Sequence, residues 1–493
     1  MEGLYISELS ERMKSGDLSA SLLVDYYLER IEAYDQSGPA LNSILTLNPD
    51  ARADAEALDH EMREQGERGP LHGIPILLKD NIACRGPMAT TAGSLALENA
   101  VAKKDAHIVE LLRSAGALIL GKTNLSEWAN FRSGYSSSGW SSLGGQTLNP
   151  YSLDRSPGGS SAGSAVAVAA DFCAAAVGTE TDGSIVSPAS MNGIVGIKPT
   201  VGLVSQNGIV PISVSQDTAG PMARNIADAA TLLGAMVEGD GEDYSRFLDH
   251  GGLDGARIGI PRAYAQVNDH VNDIFTNAVK VMQDAGAEIV DPVEVPSARR
   301  VAHFERIVMQ YEFKAGIVKY LSDFVPDHEI KSLADIIRFN GENRGRVMPY
   351  FGQDILLAAE ARGELGEDVY LEALAACRRL TREQGIDQAM ADHGLDALVA
   401  PTRGKAWLID WATGDGRRGG SSTLAAVAGY PSVTVPMGAV FGLPVGVSFI
   451  AGANSESRLI QLASGYEHHS QARHPPTFRE ELFTRGKSRQ ATP

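Results

Sequence analysis

Residues 133–220 set the narrowest limits on what this chain can fold into. They are dense in glycine and serine and carry few charges, a composition that on its own describes a flexible linker. Here the polar stretches are interleaved with AVAVAADFCAAAVG and GIVGIKPTVGLV, which are apolar enough to require burial. A solvated tether has no interior in which to place such segments. The glycine- and serine-rich pieces are therefore tight loops threaded through a core.

The flanking sequence indicates what that core contains. From Ile74 onward short apolar runs, IPILL and then ALILG, alternate with helical patterns such as HIVELLRSAG. This alternation points to α/β architecture around a largely buried sheet. Before it, Leu22, Leu23, Tyr26, Tyr27 and Ile31 recur at three- and four-residue spacings, the period of an amphipathic helix, so residues 5–34 form a helical N-terminal layer. Residues 240–390 are more charged and helical in period, as in HFERIVMQYEFKAGIVKYL, and read as a peripheral, mostly helical region. DALVAPT, GYPSVTVPMG and GLPVGVSFIAG then return to β character, and 395–475 is expected to complete the same sheet begun by the motif-bearing core over 66–230. The expectation is one unit over 1–493.

Composition excludes several function classes. Hydrophobic residues make up 43% and charged residues 21% of the 493 positions, enough to bury a large core. The net charge of −18 argues against nucleic acid or an anionic membrane as a partner, because both are bound largely through clustered lysine and arginine. Cys84, Cys173 and Cys377 are too few for a disulfide framework or a four-thiolate zinc site and are expected to be buried small apolar residues. The start, MEGLYISELSERMKSGD, lacks the basic and apolar regions of a secretory signal, so a cytoplasmic location is expected, a mature exported form being the alternative. The longest apolar run, 162–177, is interrupted by Asp171 and is shorter than the roughly 20 residues of a membrane span; it reads as a buried helix.

Two short motifs match famous patterns in the wrong context. Gly116-ALIL-Gly121-Lys122-Thr123 fits the phosphate loop G-x-x-x-x-G-K-[ST], in which a strand precedes the first glycine and the four intervening residues form the cradle. Here a helical pattern precedes Gly116 and the four residues are themselves a strand, which leaves Lys122 at a strand end. Gly159-Ser160-Ser161-Ala162-Gly163 fits the nucleophile elbow G-x-S-x-G, with Ser161 as attacking residue. An elbow needs an apolar strand before it, whereas the preceding NPYSLDRSP is polar and contains two prolines.

A third constellation spreads over three segments: Gly73-IPILL-Lys79-Asp80, Gly158-GSSAGS, and Thr179-ETDGSIVSPAS. A lysine at the end of an apolar strand is desolvated, which lowers its pKa and lets part of the population be a neutral amine able to act as a base. Serine is a weak nucleophile until a positioned base activates it, and that base need not be histidine. Taken singly, each segment is equally explained by a lysine snorkelling to solvent and by serines that satisfy turn amides.

Together, in this order, the three segments resemble the amidase signature family. The match extends through GIVGIKPTVGLVS and SQDTAGPMAR to Arg224, and more loosely through GYPSVTVPMG and GLPVGVSFI, so it covers most of the chain. The resemblance implies a central mixed β-sheet covered by helices on both faces. It also implies that Ser184 is the nucleophile, Ser160, after a cis peptide bond, the bridging serine, and Lys79 the base of a Ser-Ser-Lys acyl-enzyme mechanism. The glycine-containing turn before Ser184 is suited to aim the backbone amides of Thr181, Asp182, Gly183 and Ser184 at the substrate carbonyl oxygen, as an oxyanion hole requires, and the resemblance implies the same. No metal, organic cofactor or obligatory protein partner is implied.

Many family members carry arginine two residues after the nucleophile, where in some it holds a substrate carboxylate; this chain has Val186. Valine cannot pair with a carboxylate, so a substrate without one near the scissile amide is expected. Within the family GTETDGSIVSPAS and the segment from Lys198 to Arg224 are most similar to members that release ammonia from the C-terminal amide of peptides. The alternatives are a broad amidase for small aliphatic or aryl carboxamides and a partner-dependent amidotransferase subunit, which would have to grip glutamine's carboxylate.

Overall fold

Short apolar runs bounded by glycine, proline and polar residues become strands buried along their whole length, because a sheet covered on both faces has no solvent side for alternation to report. The computed structural model describes residues 1–239, 243–295, 297, 300–416 and 419–482. Its strands are β1 (Ile44–Leu47), β2 (Pro75–Lys79), β3 (Leu118–Thr123), β4 (Trp140–Ser141), β5 (Gly145–Gln146), β6 (Ala175–Glu180), β7 (Val195–Lys198), β8 (Thr218–Ala223), β9 (Arg257–Gly259), β10 (Glu288–Val290), β11 (Ala397–Pro401), β12 (Ser432–Val440) and β13 (Leu443–Ile450). All but β4 and β5, which pair with each other, lie in one 11-stranded sheet in the order β1-β3-β2-β6-β8-β7-β12-β13-β11-β9-β10.

The sheet is mixed and flanked by helices, as expected. β2 runs parallel to both β3 and β6, whereas the steps from β6 through β8, β7, β12 and β13 to β11 are antiparallel. β12 lies against β7, with Ser432 opposite Lys198, so chain from the last quarter of the sequence borders the glycine- and serine-rich core. Helices Ala162–Ala169 and Glu456–Ser470 pack on opposite halves of the sheet, the first against β2, β3, β6 and β8 and the second against β12 and β13. Within 240–390 long helices such as Ala302–Phe324 dominate, but β9 and β10 also lie there and extend the sheet's edge.

One expectation is corrected. The run over 162–177 is not a single helix: the helix stops at Ala169 and β6 begins at Ala175. The break falls at Asp171, which adopts a left-handed φ of 61°. Its carboxylate is held 3.0 Å from Arg224 and accepts from Tyr26 Oη at 2.8 Å, so the charge is anchored in a turn instead of continuing the helix. An apolar run of this kind does not distinguish helix from buried strand by periodicity.

The phosphate-loop pattern resolves as helix His107–Ser114, Gly116 at φ 83°, and β3, with Lys122 inside the strand. The three cysteines are free and buried. Among the described residues no helix is long and apolar enough to cross a membrane.

Candidate active site

Lys79 is the last residue of β2 and has no exposed surface. Its ammonium nitrogen donates to Ser160 Oγ at 2.7 Å, to Thr179 Oγ1 at 2.9 Å and to the Thr179 carbonyl at 3.1 Å. Burial lowers its pKa to about 7, although the carboxylates of Glu180 and Asp217 act in the opposite sense. None of its hydrogen-bond partners is charged. When the amine is neutral its lone pair must face a hydroxyl, since a carbonyl has no proton to give, and Ser160 makes the shortest of the three contacts.

Ser160 comes from the loop between Gly158 and the helix Ala162–Ala169, and the Gly159–Ser160 peptide is cis. Its glycine faces Ser126 closely: a methyl on Gly159 would come within 2.4 Å of Ser126 Oγ, so a side chain there is disfavoured. Ser161, the alternative nucleophile, faces elsewhere. Its Oγ donates to the Thr179 carbonyl at 3.0 Å and accepts from the Thr179 amide at 3.2 Å, which ties the loop to β6. No strand leads into Ser161, so the elbow geometry is absent there. The Ser161 amide donates to the carbonyl of Ser184 at 3.2 Å, which holds the two serine-bearing loops together.

Ser184 follows β6 in the turn Thr181-Asp182-Gly183, with Gly183 at φ 81°, and the helix Val186–Met191 starts directly after it. Ser184 is 8% exposed, whereas Ser160 and Lys79 have no exposure. Glu180 shapes this turn: its Oε2 accepts the amides of Ile185 at 2.7 Å and Val186 at 3.0 Å. Burial raises the Glu180 pKa while nearby Lys198 opposes this. Asp217 secures the other end, accepting from Thr181 Oγ1 at 2.5 Å and from the amides of Ile212 and Ser213. The Val186 side chain is fully buried.

Asp182 meets a partner from the peripheral helix Ala302–Phe324. Glu305 is hydrogen-bonded to Asp182, and burial followed by the Asp182 charge pushes its pKa well above the usual carboxylate range. With both groups ionised Asp182 Oδ1 would lack a donor; a proton kept on Glu305 supplies it. Thr423 Oγ1 donates to Asp182 Oδ2 at 2.7 Å, and Gln216 Nε2 spans the Thr181 carbonyl at 3.3 Å and Glu305 Oε1 at 3.2 Å. A cavity of about 450 Å³ borders Asn81, Thr179, Thr181 and Asp217, but neither Ser160 nor Ser184 lines it.

With three segments so joined, the comparisons with known proteins agree. The family model for Amidase matches residues 22–460. The chain belongs to the amidase signature family. Native peptide amidase from Stenotrophomonas maltophilia is 49% identical to this amidase, with a TM-score of 0.92 over 97% of this chain and 99% of that one. A probable amidase of Arabidopsis thaliana is 38% identical over 94% of this chain and 89% of its own length. A glutamyl-tRNA(Gln) amidotransferase component from Caldanaerobacter subterraneus subsp. tengcongensis is 33% identical over 94% of this chain and 96% of its own length.

Within this amidase the sequence pointed to Lys79, Ser160, Ser184 and the turn Thr181–Ser184; the fold joins Lys79 to Ser160 directly and the loops of Ser160 and Ser184 through the Ser161 amide, with no hydrogen bond between the Ser160 and Ser184 hydroxyls among the described residues. Sequence reasoning missed the groups that hold them: Thr179, Glu180, Asp217 and Glu305. Glu180 and Asp217 are acidic residues within otherwise apolar or glycine-rich stretches, and charge at a position that must be buried was the available signal. Glu305 gave none, because its surroundings read as a solvated helix.

Proposed function

We propose that this amidase hydrolyses primary carboxamides, with the C-terminal amide of peptides as its substrate class, through an acyl-enzyme on Ser184. The observation that carries the reading is the 2.7 Å contact between Ser160 Oγ and a lysine held without any exposure. Ser184 Oγ attacks the amide carbon while its proton passes to Ser160, whose own proton moves to the neutral amine of Lys79. The oxyanion is stabilised by backbone amides of Thr181, Asp182, Gly183 and Ser184, which stay in place because Glu180 and Asp217 fix the turn. Collapse breaks the C–N bond, and Lys79 returns the proton through Ser160 so that ammonia leaves. Water then attacks the ester by the same relay, giving the carboxylic acid and free Ser184.

The peptide-amide assignment is supported by 49% identity to a peptide amidase across nearly its whole length. The other relatives, amidases and amidotransferase components, define the competing substrates. Ammonia release from the purified chain is to be measured with a peptide amide, a simple aliphatic carboxamide and glutamine. A peptide amide turned over best supports the reading; preference for the aliphatic amide replaces it with the broad-amidase alternative, and preference for glutamine replaces it with the amidotransferase one. Ser184→Ala is expected to abolish turnover and fluorophosphonate labelling, whereas Ser161→Ala keeps measurable activity.

A further inference from the structure

A guanidinium that the relay does not use stands beside the turn bearing Ser184. Arg403 follows β11 by two residues, and its backbone forms an isolated antiparallel bridge with Gly420. The chain on both sides of that bridge borders the turn. Thr423 donates to Asp182, and a methyl placed on Gly183 would come within 2.9 Å of Ser422 Oγ. The Arg403 guanidinium lies over the ring of Trp407, 5.0 Å from its centroid, and Trp407 Nε1 donates to Asp415 Oδ1 at 3.1 Å.

Burial lowers the Arg403 pKa, with Asp415 and Asp182 opposing the shift. Yet among the described residues no side chain or carbonyl accepts a hydrogen bond from it, and its buried Nε has no partner. Arg403 is half-buried: its Nε is enclosed, and the terminal N–H groups of its fork are free to meet an acceptor.

The missing acceptor is neutral. Asp182 and Asp415 already face the guanidinium, and both Asp415 oxygens are engaged by the Ser138 amide. A substrate carboxylate would add a third negative charge to this group. A carbonyl oxygen adds none, and its lone pairs suit the guanidinium fork. A carboxamide offers such an oxygen, beyond the one under attack, when a peptide bond precedes its last residue. Successive α-carbons are 3.8 Å apart, so that upstream carbonyl lies one residue from the scissile bond, the neighbourhood of Asp182.

We infer that Arg403 is a specificity residue that receives the peptide carbonyl preceding the substrate's C-terminal residue, so that N-acylated amino-acid amides and peptide amides are favoured over amides with no second carbonyl. The inference rests on Ser184 being the nucleophile of an amide hydrolase.

The test compares N-acetyl-leucinamide with isocaproamide, which keeps the side chain and the primary amide but lacks the acylamino group. Wild type is expected to favour the acetylated substrate in kcat/KM. In Arg403→Met the ratio of the two kcat/KM values is expected to fall by roughly 10- to 100-fold, the weight of a hydrogen bond to a charged group. Arg403→Lys, which keeps the charge without the fork, is expected to fall between. An unchanged ratio in both variants, including an equal loss on both substrates, overturns the role given to Arg403. Wild type that hydrolyses isocaproamide in preference overturns the peptide-amide reading instead, and wild type that hydrolyses neither overturns the amidase reading itself.

Discussion

Lys79 carries the reaction's pH dependence, and its direction follows from which form is useful. The base must be neutral, and burial lowers its pKa to about 7, so kcat/KM is expected to rise with pH through about 7 and then level off. Asp217 opposes that shift, and its own carboxyl, raised by burial to about 6, is mostly ionised where the lysine titrates. Asp217→Asn removes a negative charge that favours the ammonium form. The acid limb should therefore move to lower pH, and a pH profile displaced the other way would refute the electrostatic account. At this scale the sequence was legible wherever chemistry dictates residue type: a lysine ending an apolar strand, and serines in glycine-rich turns. The roles of the supporting residues were not: a charge at Glu180 within a buried stretch was visible, but Thr179 and Glu180 act through contacts between β2, β6 and the helix after it, and no local pattern names those partners.

Elements explain why one apparent motif was a decoy and another was misread. Lys122 lies within β3 with no exposure, 3.0 Å from Asp80 Oδ1 and 2.9 Å from Thr90 Oγ1, and Asp80 also takes the Thr91 amide at 3.1 Å and the Thr91 hydroxyl. It is an internal tie between β3 and the segment after β2, not a phosphate ligand. Lys122→Met leaves Asp80 buried without its cation, and a loss on the order of 3–5 kcal/mol is expected in denaturant unfolding. ATP should leave the melting temperature unchanged; stabilisation by ATP that disappears in Lys122→Met would restore the phosphate-loop reading. The apolar run over 162–177 failed as a single helix for a related reason. A buried helix and a buried strand are equally apolar, and the deciding feature was a charge, Asp171, whose partners Arg224 and Tyr26 lie far away in the chain.

For the molecule as a whole, the alternation of short apolar runs with helical patterns gave the α/β class, but strand order depends on pairings across long separations, such as β12 beside β7. Helical period likewise marked 240–390 as helical without revealing that Glu305 reaches the turn at Asp182. Net charge, by contrast, is fully visible in the sequence, and it has a kinetic consequence. A surface with a net charge of −18 creates a field that draws cationic peptides toward the molecule and repels acidic ones before any contact forms. Asp182, two residues before Ser184, places part of that negative charge beside the turn. Salt shortens the reach of this field, from roughly 30 Å at 0.01 M to about 10 Å at 0.1 M. For peptide amides that differ only in carrying lysine, glutamine or glutamate away from the amide, kcat/KM should follow that order at low salt. The lysine substrate should lose several-fold as salt rises to about 0.1 M, the glutamate substrate should gain, and the glutamine substrate should change least. An acidic substrate favoured at low salt would mean that a local cationic surface, with Arg403 the first candidate, outweighs the field of the whole chain.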